Sequence, residues 1–388
     1  RTFSVEDRLF TLSYKIGSEP DASDSYTDYA DLRAADGWEK FLDRLKSQHN
    51  DGSENTIEHT FQVDYTTPFA KHHTIETGLK YILRNNTSED DRYELDVLDS
   101  EHSSHYKHRN DILAAYLGYG LKIKKFSGRL GLRYEHTLQD VEYKLGPGAD
   151  FKQHFNDFVP SASLGYKLGQ TTNLRLGYNM RIYRPGIWYL NPYLDDSTPT
   201  NISQGNPNLS SEKSHTISLN FSKFTPKFNI SLSPQYTFTN NSIENVVKMM
   251  RDTDIPGLKH PTGIDVLYTS YANIGRSQSF HLNSYVNWNA SKNTRVYMNS
   301  RLSYTDMDDG GTMSNCGWTL FAYGGAQQTL PKNWNISCNL YAYTPSIMLQ
   351  GRGSSYSNYT ISIQKSWMKK RLNLTLSASN FLKKYKTY

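Results

Sequence analysis

The 388-residue sequence has few cysteines, no long apolar run and little net charge. Two cysteines in a chain of this length argue against a disulfide-stabilised scaffold. No apolar run reaches the ~18 residues that a membrane-spanning helix needs, which excludes a helical membrane protein. The net charge of +5 is dispersed and no recognition motif accompanies it, so the sequence does not indicate nucleic-acid binding.

Motifs of hydrolases and metal sites are also missing. No G-x-S-x-G nucleophile elbow occurs. The acidic segment at 305–311 lacks the Glu that would close an EF-hand loop. His102, His105 and His108 could ligate a transition metal, but they fall in a polar segment that we interpret as a solvated loop without fixed geometry. We therefore expect no metal, no other cofactor and no enzymatic activity.

Aromatic residues are abundant instead, with 29 Tyr, 16 Phe and 6 Trp against an overall hydrophobic content of only 37%. Tyr and Trp are favoured where one end of a ring meets lipid and the other meets water. A hydrophilic average combined with many aromatics is typical of a barrel whose alternate residues face lipid and a polar lumen.

Apolar residues recur at every second position in fifteen segments, which predicts an all-β protein. Several segments hold this alternation for about ten residues, the length that a tilted strand needs to cross a bilayer. Strands of soluble sandwiches usually have only ~5–6 residues. The fifteen segments are 10–16, 61–65, 75–83, 113–121, 130–134, 164–168, 174–182, 217–221, 228–238, 280–288, 296–304, 318–322, 336–340, 359–363 and 372–376.

The connections between these segments alternate in length. Short turns are predicted at Thr67-Pro68, Lys124-Lys125, Gly169-Gln170, Thr225-Pro226, Ser291-Lys292, Pro331-Lys332 and Lys369-Lys370. Long loops are predicted at 17–53, 86–110, 141–156, 184–212, 241–263 and 344–355. Short turns on one rim and long loops on the other predict a transmembrane antiparallel β-barrel with short periplasmic turns and long extracellular loops.

One long connection carries a distinctive motif, RIYRPGIWYLNPYLDDSTPTNISQGNPNL, between residues 181 and 209. Each X-Pro step restricts the backbone before it and removes a donor, and glycine and asparagine permit tight reversals. We therefore expect an ordered extracellular loop, the motif loop. Its motif residues are Arg184, Pro185, Leu190, Asn191, Pro192, Gly205, Asn206, Pro207 and Leu209.

The RPxxxxLNP block followed by GNPxL, between two amphipathic strands, resembles TonB-dependent-receptor-like outer-membrane barrels that are common in Bacteroidetes. The resemblance implies a cell outer-membrane location and energised nutrient uptake, driven by a TonB-type coupling protein through a plug domain that we expect to be absent from these 388 residues. A surface lipoprotein is a further candidate partner. A passive pore or secretion-type channel is the alternative function, and a barrel hydrolase is the third.

The resemblance also implies a parent barrel of 22 strands, so residues 1–388 are expected to form an incomplete barrel domain. Independently, the first segment (Leu9–Ile16) and the last (Leu372–Phe381) both run toward the long-loop rim. Closing the sheet between them would create a parallel seam, which bacterial barrels do not have. We therefore expect these two segments not to pair with each other.

Two sets of residues are candidate ligand contacts. Trp188, Tyr189 and Tyr193 of the motif loop could stack on ring-bearing ligands, although packing within the loop is an equal alternative. Arginines at lumen-facing positions could favour anionic or hydroxyl-rich solutes, although a solvated polar wall is expected of any such barrel. These arginines are Arg175, Arg181, Arg295 and Arg301.

Cys316 and Cys338 are expected to be unbonded. They lie fifteen and seven residues from the turn at Pro331. At ~3.3 Å per residue the mismatch is roughly 26 Å, whereas a disulfide requires Cα atoms within about 7 Å.

Overall fold

A computed structural model describes residues 7–30, 42, 45–146, 148, 150–198, 200–311 and 313–382. Fifteen strands form one antiparallel path in which each strand pairs with the next, as the fifteen alternating segments predict. In order along the path, they are β1 (Leu9–Thr27), β2 (Gln48–Ala70), β3 (His73–Glu94), β5 (Ser104–Ile123), β6 (Phe126–Leu145), β7 (Phe151–Lys167), β8 (Thr172–Tyr183), β11 (Glu212–Phe224), β12 (Phe228–Asn240), β15 (Arg276–Asn289), β16 (Thr294–Asp308), β17 (Ser314–Leu330), β18 (Trp334–Tyr343), β21 (Tyr356–Trp367) and β22 (Leu372–Ser379).

The outer face of this sheet carries an apolar band between two rows of aromatic side chains. In the upper row Tyr236, Phe280, Tyr304 and Trp318 stand directly opposite one another across four strands. In the lower row Phe228 stands opposite Trp288. The rows are eight residues apart on β12 and on β15, or about 26 Å along a strand. At a strand tilt of roughly 40° this is about 20 Å across the membrane, close to the ~25 Å apolar band of outer-membrane barrels.

The connections divide the sheet into two rims. On the short-turn rim the connections are residues 71–72, 124–125, 168–171, 225–227, 290–293, 331–333 and 368–371. Six of the seven predicted turns are confirmed. The first is wrong, because β2 continues past Thr67-Pro68 to Ala70. In the described residues, the ladder between β1 and β2 ends at Thr66 of β2. Pro68 therefore lies where β2 pairs with β3 alone, and the absence of a backbone N–H at Pro68 is tolerated there.

On the long-connection rim three predicted loops are shorter than expected. Strands β1 and β2 extend into 17–53, β3 and β5 into 86–110, and β6 and β7 into 141–156. Apolar alternation stops where a strand leaves the apolar band, but the backbone ladder continues. Cross-strand polar contacts support it there, such as the ion pair of Arg84 with Glu58 and the hydrogen bond between His105 and Asp91 at 2.8 Å. Residues 31–41 and 43–44 lie outside the described residues.

The long-connection rim also holds a second, four-stranded sheet in the order β13–β14–β10–β9. Strands β9 (Leu194–Thr198) and β10 (Asn201–Gln204) come from the motif loop. Strands β13 (Ile243–Arg251) and β14 (Asp265–Asn273) fill the connection that was predicted as a loop at 241–263 and that extends to residue 275. Ile202, Ile255 and Val266 form the small buried core of this sheet. This core explains why a short motif segment forms strands.

The remaining elements are short. Strand β4 (Val97–Leu98) pairs with β3, and β19 (Ile347–Met348) pairs with β20 (Gly351–Arg352). Helix α1 spans Ile187–Leu190 within the motif loop, and 3₁₀ turns occur at Asp252–Asp254, Pro331–Asn333 and Met368–Lys370. No helix among the described residues has the length and apolar content of a membrane span.

Two further predictions concern the sheet. The path begins at β1 and ends at β22, and no ladder joins these strands in the described part of the chain. Cys316 and Cys338 are free, as predicted. Cys338 stands opposite Ala326, ten residues along β17 from Cys316. The spacing of the two thiols therefore excludes a bridge.

We expect Leu232→Arg on β12 to destabilise the barrel in lipid vesicles by about 2–4 kcal/mol, because it places a cation on the lipid face midway between the aromatic rows. The control is Ser233→Arg, which places the same cation at the next residue of β12, on the lumen face of the sheet. Urea unfolding of both variants from vesicles provides the comparison. Equal losses would contradict the assignment of the two faces.

Candidate functional site

The motif loop begins where β7 and β8 separate. Their ladder runs only from Lys167–Asn173 to Ser161–Asn179, and Pro160, which lacks a backbone donor, comes next on β7. Beyond this point β7 pairs only with β6, and β8 only with β11. The chain therefore leaves the sheet at Arg184 across an interruption in the ladder.

Arg184 closes this interruption through two carboxylates. Its Nη2 lies 2.9 Å from Glu135 Oε2 and 3.1 Å from Asp157 Oδ2, and Lys213 Nζ lies 3.2 Å from Asp157 Oδ1. The Asp157 side chain is almost fully buried and that of Arg184 is 15% exposed. Breaking such a buried pair leaves an uncompensated charge, which typically costs about 3–5 kcal/mol. Arg184 thus anchors the start of the motif loop to the lumen wall.

The LNP and GNP segments of the motif contact each other directly. Asn206 donates from its backbone N to Tyr189 O (2.6 Å) and from Nδ2 to Tyr271 O on β14 (2.8 Å). Gly205 passes so close to Asn191 that a Cβ would stand 2.2 Å from the Asn191 carbonyl oxygen. The LNP and GNP segments therefore form a clasp that also holds the β13–β14 hairpin.

Other motif residues have packing roles. Pro185, Leu190 and Leu209 are buried. Pro192 and Pro207 offer carbonyl oxygens to Gln204 (2.8 Å) and to Gln153 of β7 (2.6 Å). The motif that carries the family resemblance is thus chiefly structural, and it fixes the loop across the long-connection rim.

Beneath the motif loop lies a cavity of about 520 Å³. Its walls are the lumen faces of β1, β2, β3 and β5 on one side and the motif loop with β14 on the other. Most of the residues that line it are polar, and its charged groups include Glu54, Asp90, Arg92 and Asp195. Cavities of this size are typical of small-molecule sites. This cavity is the candidate functional site.

The three candidate aromatics of the motif loop have different positions. Trp188 and Tyr193 line the cavity, and the Trp188 side chain is 77% exposed. Tyr193 is held in place, because its hydroxyl donates to His102 O at 3.2 Å. Tyr189 instead packs edge-on against Tyr271, with ring centroids 4.7 Å apart. Trp188 and Tyr193 therefore line the cavity, whereas Tyr189 packs within the loop; contact of any of the three with a ligand stays a prediction.

His102 joins the motif loop to the β3–β5 connection. Its Nε2 lies 2.7 Å from Asp196 Oδ1 in β9, and its Nδ1 bonds to Asp99. The hydrogen bond with Asp196 is the main cause that raises the pKa of His102 above its ordinary value, against the opposing effect of burial. From the sequence, His102 is only a possible metal ligand in a loop. Its contact with Asp196 could not be predicted, because the two residues are 94 positions apart.

The other two histidines lie apart from it. His105 and His108 are on β5 rather than in the predicted loop at 86–110. His105 contacts Asp91, on the outer face, whereas His108 occupies an alternate position facing the lumen. Among the described residues, no group of three or more His, Cys, Asp or Glu side chains could hold a metal ion.

The four candidate arginines are not brought together. Ladder registers place Arg175 of β8 and Arg301 of β16 at one level but four strands apart, about 19 Å at the usual strand spacing. Arg181 lies nearer the long-connection rim and Arg295 nearer the short turns. Arg301 and Arg295 donate from Nε to Asn283 and Asn287, each at 2.7 Å. Their role as ligand contacts remains a prediction.

The lumen wall also has two chemically different halves. Lumen-facing positions of β2, β3, β6 and β7 include eight carboxylates: Glu54, Glu58, Asp64, Glu76, Asp90, Glu94, Glu135 and Asp157. Those of β12, β15–β18, β21 and β22 include none, and they carry amides, hydroxyls and a group of rings: Tyr285, Tyr297, Phe321, Tyr323, Tyr341, Tyr343 and Tyr356. These rings are not among the site residues predicted from the sequence, although their place on the polar side of the alternation distinguishes them from the lipid-facing aromatics.

Comparison with known proteins assigns the family. The family model described as "Outer membrane protein beta-barrel family" matches residues 1–388. The chain belongs to this family. It is therefore an outer-membrane β-barrel protein, as predicted from the strand lengths and the two rims. No curated protein matches its sequence.

Several solved structures share the fold. They include the ferric yersiniabactin uptake receptor FyuA from Yersinia pestis (TM-score 0.66, 12% identity, 98% of this chain and 54% of that one). They also include the unliganded ferric citrate transporter FecA (0.63, 12%, 97% and 54%) and the copper transporter OprC (0.63, 10%, 94% and 57%). The outer-membrane barrel family protein spans about half the length of each of these chains.

We expect Gly205→Ala to loosen the clasp, because the new Cβ meets the Asn191 carbonyl and overpacking typically costs about 1–3 kcal/mol. Amide exchange in β10 and β14 should accelerate by roughly 10- to 100-fold. Gly186→Ala in the same loop is the control, because nothing lies within 4 Å of its Cβ and its backbone is extended. Equal effects of the two variants would contradict the clasp.

The His102 contacts predict a pH effect. Because the pKa of His102 is higher in the folded protein than its unfolded value of about 6.5, the protonated imidazole stabilises the fold. This stabilisation is complete below the unfolded pKa and is lost as pH rises through the folded pKa. The protection factors of the β9 amides, which are corrected for the intrinsic pH dependence of exchange, should therefore be lower at alkaline pH than near pH 6. This difference should vanish in His102→Gln and persist in His260→Gln, an exposed histidine of another connection. A pH response that survives in His102→Gln would disprove the assignment.

Proposed function

We propose that this chain is the barrel of an outer-membrane receptor that takes up a nutrient by energised transport and is not an enzyme. The observation that carries the proposal is the motif loop, which is clasped to the β13–β14 hairpin across the long-connection rim and forms one wall of a cavity whose other wall is the lumen face of β1, β2, β3 and β5. A simple pore has no need of a loop fixed in this position, whereas a receptor needs a preorganised surface at its outer entrance.

The cavity supplies both parts of such a surface. Trp188 and Tyr193 offer ring faces, and Glu54, Asp90 and Arg92 offer charged groups that can orient a small solute. Tyr193 is already immobilised by its hydrogen bond to His102 O, which reduces the entropy lost on binding. In this proposal the outer loops capture the ligand, and release into the lumen follows.

The same proposal implies three partners: a lipid bilayer, an energy-coupling protein and a surface lipoprotein. The apolar band faces the outer-membrane bilayer, and a TonB-type protein supplies energy through a plug domain. A surface lipoprotein over the long-connection rim would assist capture. We also propose that β1 and β22 pair with further strands in the assembled barrel, because unpaired edge groups are too costly in hydrocarbon.

A deletion strain provides the test. It should lose growth on one of a set of defined carbon, iron or cofactor sources and regain it with the wild-type gene. Trp188→Ala together with Tyr193→Ala should raise the half-saturating nutrient concentration at least tenfold, since each ring contributes about 1 kcal/mol or more. Tyr189→Phe, a ring that packs within the loop, is the control.

Energy coupling is measured separately as uptake of the same nutrient with and without a protonophore. The proposal expects uptake to stop when the proton gradient collapses. Uptake that continues unchanged would identify the passive pore. Unimpaired growth of the deletion strain on every source would contradict the transport function.

A further inference from the structure

The short-turn rim carries charge of only one sign. In each short turn, or beside it, the chain exposes a lysine: Lys71, Lys124, Lys167, Lys227, Lys292, Lys332 and Lys369. Within three residues of these turns the sequence has fourteen Lys or Arg residues and no Asp or Glu. All 38 acidic residues of the chain lie elsewhere. The mild net charge of +5 therefore conceals a cationic ring at one end of the sheet.

These cations are not neutralised within the chain. Of the lysines and arginines around the short turns, none whose side chain is described lies within ion-pair distance of a carboxylate in the described residues. By contrast, ion pairs are frequent toward the long-connection rim, for example Lys46 with Glu94 and Lys152 with Asp140. The charge of the short-turn rim is therefore available to an external anion.

The cations also lie at the depth of lipid headgroups. The lower row of outer-face aromatics adjoins the turns, so that Lys227 precedes Phe228, and Phe126 follows Lys125. Aromatic rings of this kind mark the membrane–water interface. Lysines one residue beyond them reach the phosphate level, and long side chains can extend further toward it.

Lys365 shows this arrangement in most detail. It lies on the outer face of β21, in line with Ile361 and Ile363, and stands opposite Trp334. Its Nζ is 5.1 Å from the centroid of Trp334 and 5.7 Å from that of Trp367, and it donates to Lys332 O. Two rings thus hold an ammonium group on the lipid-facing surface, at the edge of the apolar band.

We propose that the short-turn rim binds the phosphate groups of anionic phospholipids in the leaflet around it. The cations are distributed over all seven turns and do not converge on one pocket, so they fit a ring of many headgroups rather than a single free phosphate. Interfacial aromatics beside them would contact the same lipids, which a soluble acidic protein would not require. An attraction of this kind is worth about fivefold in partitioning per lysine at low salt.

The test uses the full chain reconstituted in mixed bilayers. Phosphatidylglycerol or phosphatidylcholine with brominated acyl chains quenches tryptophan, and replacing Trp38, Trp188 and Trp318 by Phe leaves Trp288, Trp334 and Trp367 as reporters near the rim. We expect a preference for phosphatidylglycerol of at least fivefold that decreases as salt is raised. Equal quenching by the two lipids would overturn the proposal.

Matched variants locate the effect. Lys227→Gln, Lys292→Gln and Lys365→Gln combined should lower the preference without abolishing it, because eleven of the fourteen cations remain, whereas arginine at the same three positions should preserve it. The control removes three exposed lysines far from the short turns, Lys107→Gln, Lys144→Gln and Lys248→Gln, and should leave the preference intact. An equal loss in both glutamine sets would overturn the proposal. Loss of the preference on adding inorganic phosphate at matched ionic strength would instead show a free-phosphate site.

Discussion

Backbone hydrogen bonding within lipid is the constraint on which the rest of this structure depends. Inside the apolar band no water is available to satisfy N–H and C=O groups, so every strand must pair with a neighbour. The continuous path of fifteen antiparallel strands meets this requirement along its length. Pairing on both sides also fixes which residues face lipid, because a one-residue slip would turn every side chain to the opposite face.

Where the strands extend beyond the apolar band, polar side-chain contacts stabilise the backbone ladders. Cross-strand ion pairs and hydrogen bonds replace apolar contacts on the upper parts of the strands, as between Arg84 and Glu58. The one interruption of the ladder that matters for the site is between β7 and β8. There the contacts of Arg184 and of the half-exposed Lys213 with the buried Asp157 replace backbone hydrogen bonds and direct the motif loop across the rim.

The two rims thereby acquire different roles. The long-connection rim concentrates acidic residues, a second sheet and the cavity, whereas the short-turn rim has small turns, aromatics and lysines. Carboxylates on one half of the lumen wall and none at the lumen-facing positions of β12, β15–β18, β21 and β22 give the interior a further asymmetry. One sheet can carry these separate surfaces because the backbone ladder stays the same while the side chains at alternate positions differ.

Much of this arrangement follows from the sequence alone. Strict period-two alternation predicts the strands, since a pleated strand bounded by lipid on one face permits no other pattern. It also predicts six of the seven short turns and the free cysteines. The motif between residues 181 and 209 indicates the position of a fixed loop, because prolines and glycines restrict the backbone locally.

Only the tertiary structure decides what that loop does. Leu190 and Leu209 read as motif residues in the sequence, but their burial and the close approach of Gly205 to Asn191 depend on chain segments folding back on each other. The His102–Asp196 contact joins residues 94 positions apart. The upper ends of the long strands likewise escape sequence reading, because polar residues on both faces leave no alternation there. Local pattern determines the sheet, and long-range contacts determine the site built on its rim.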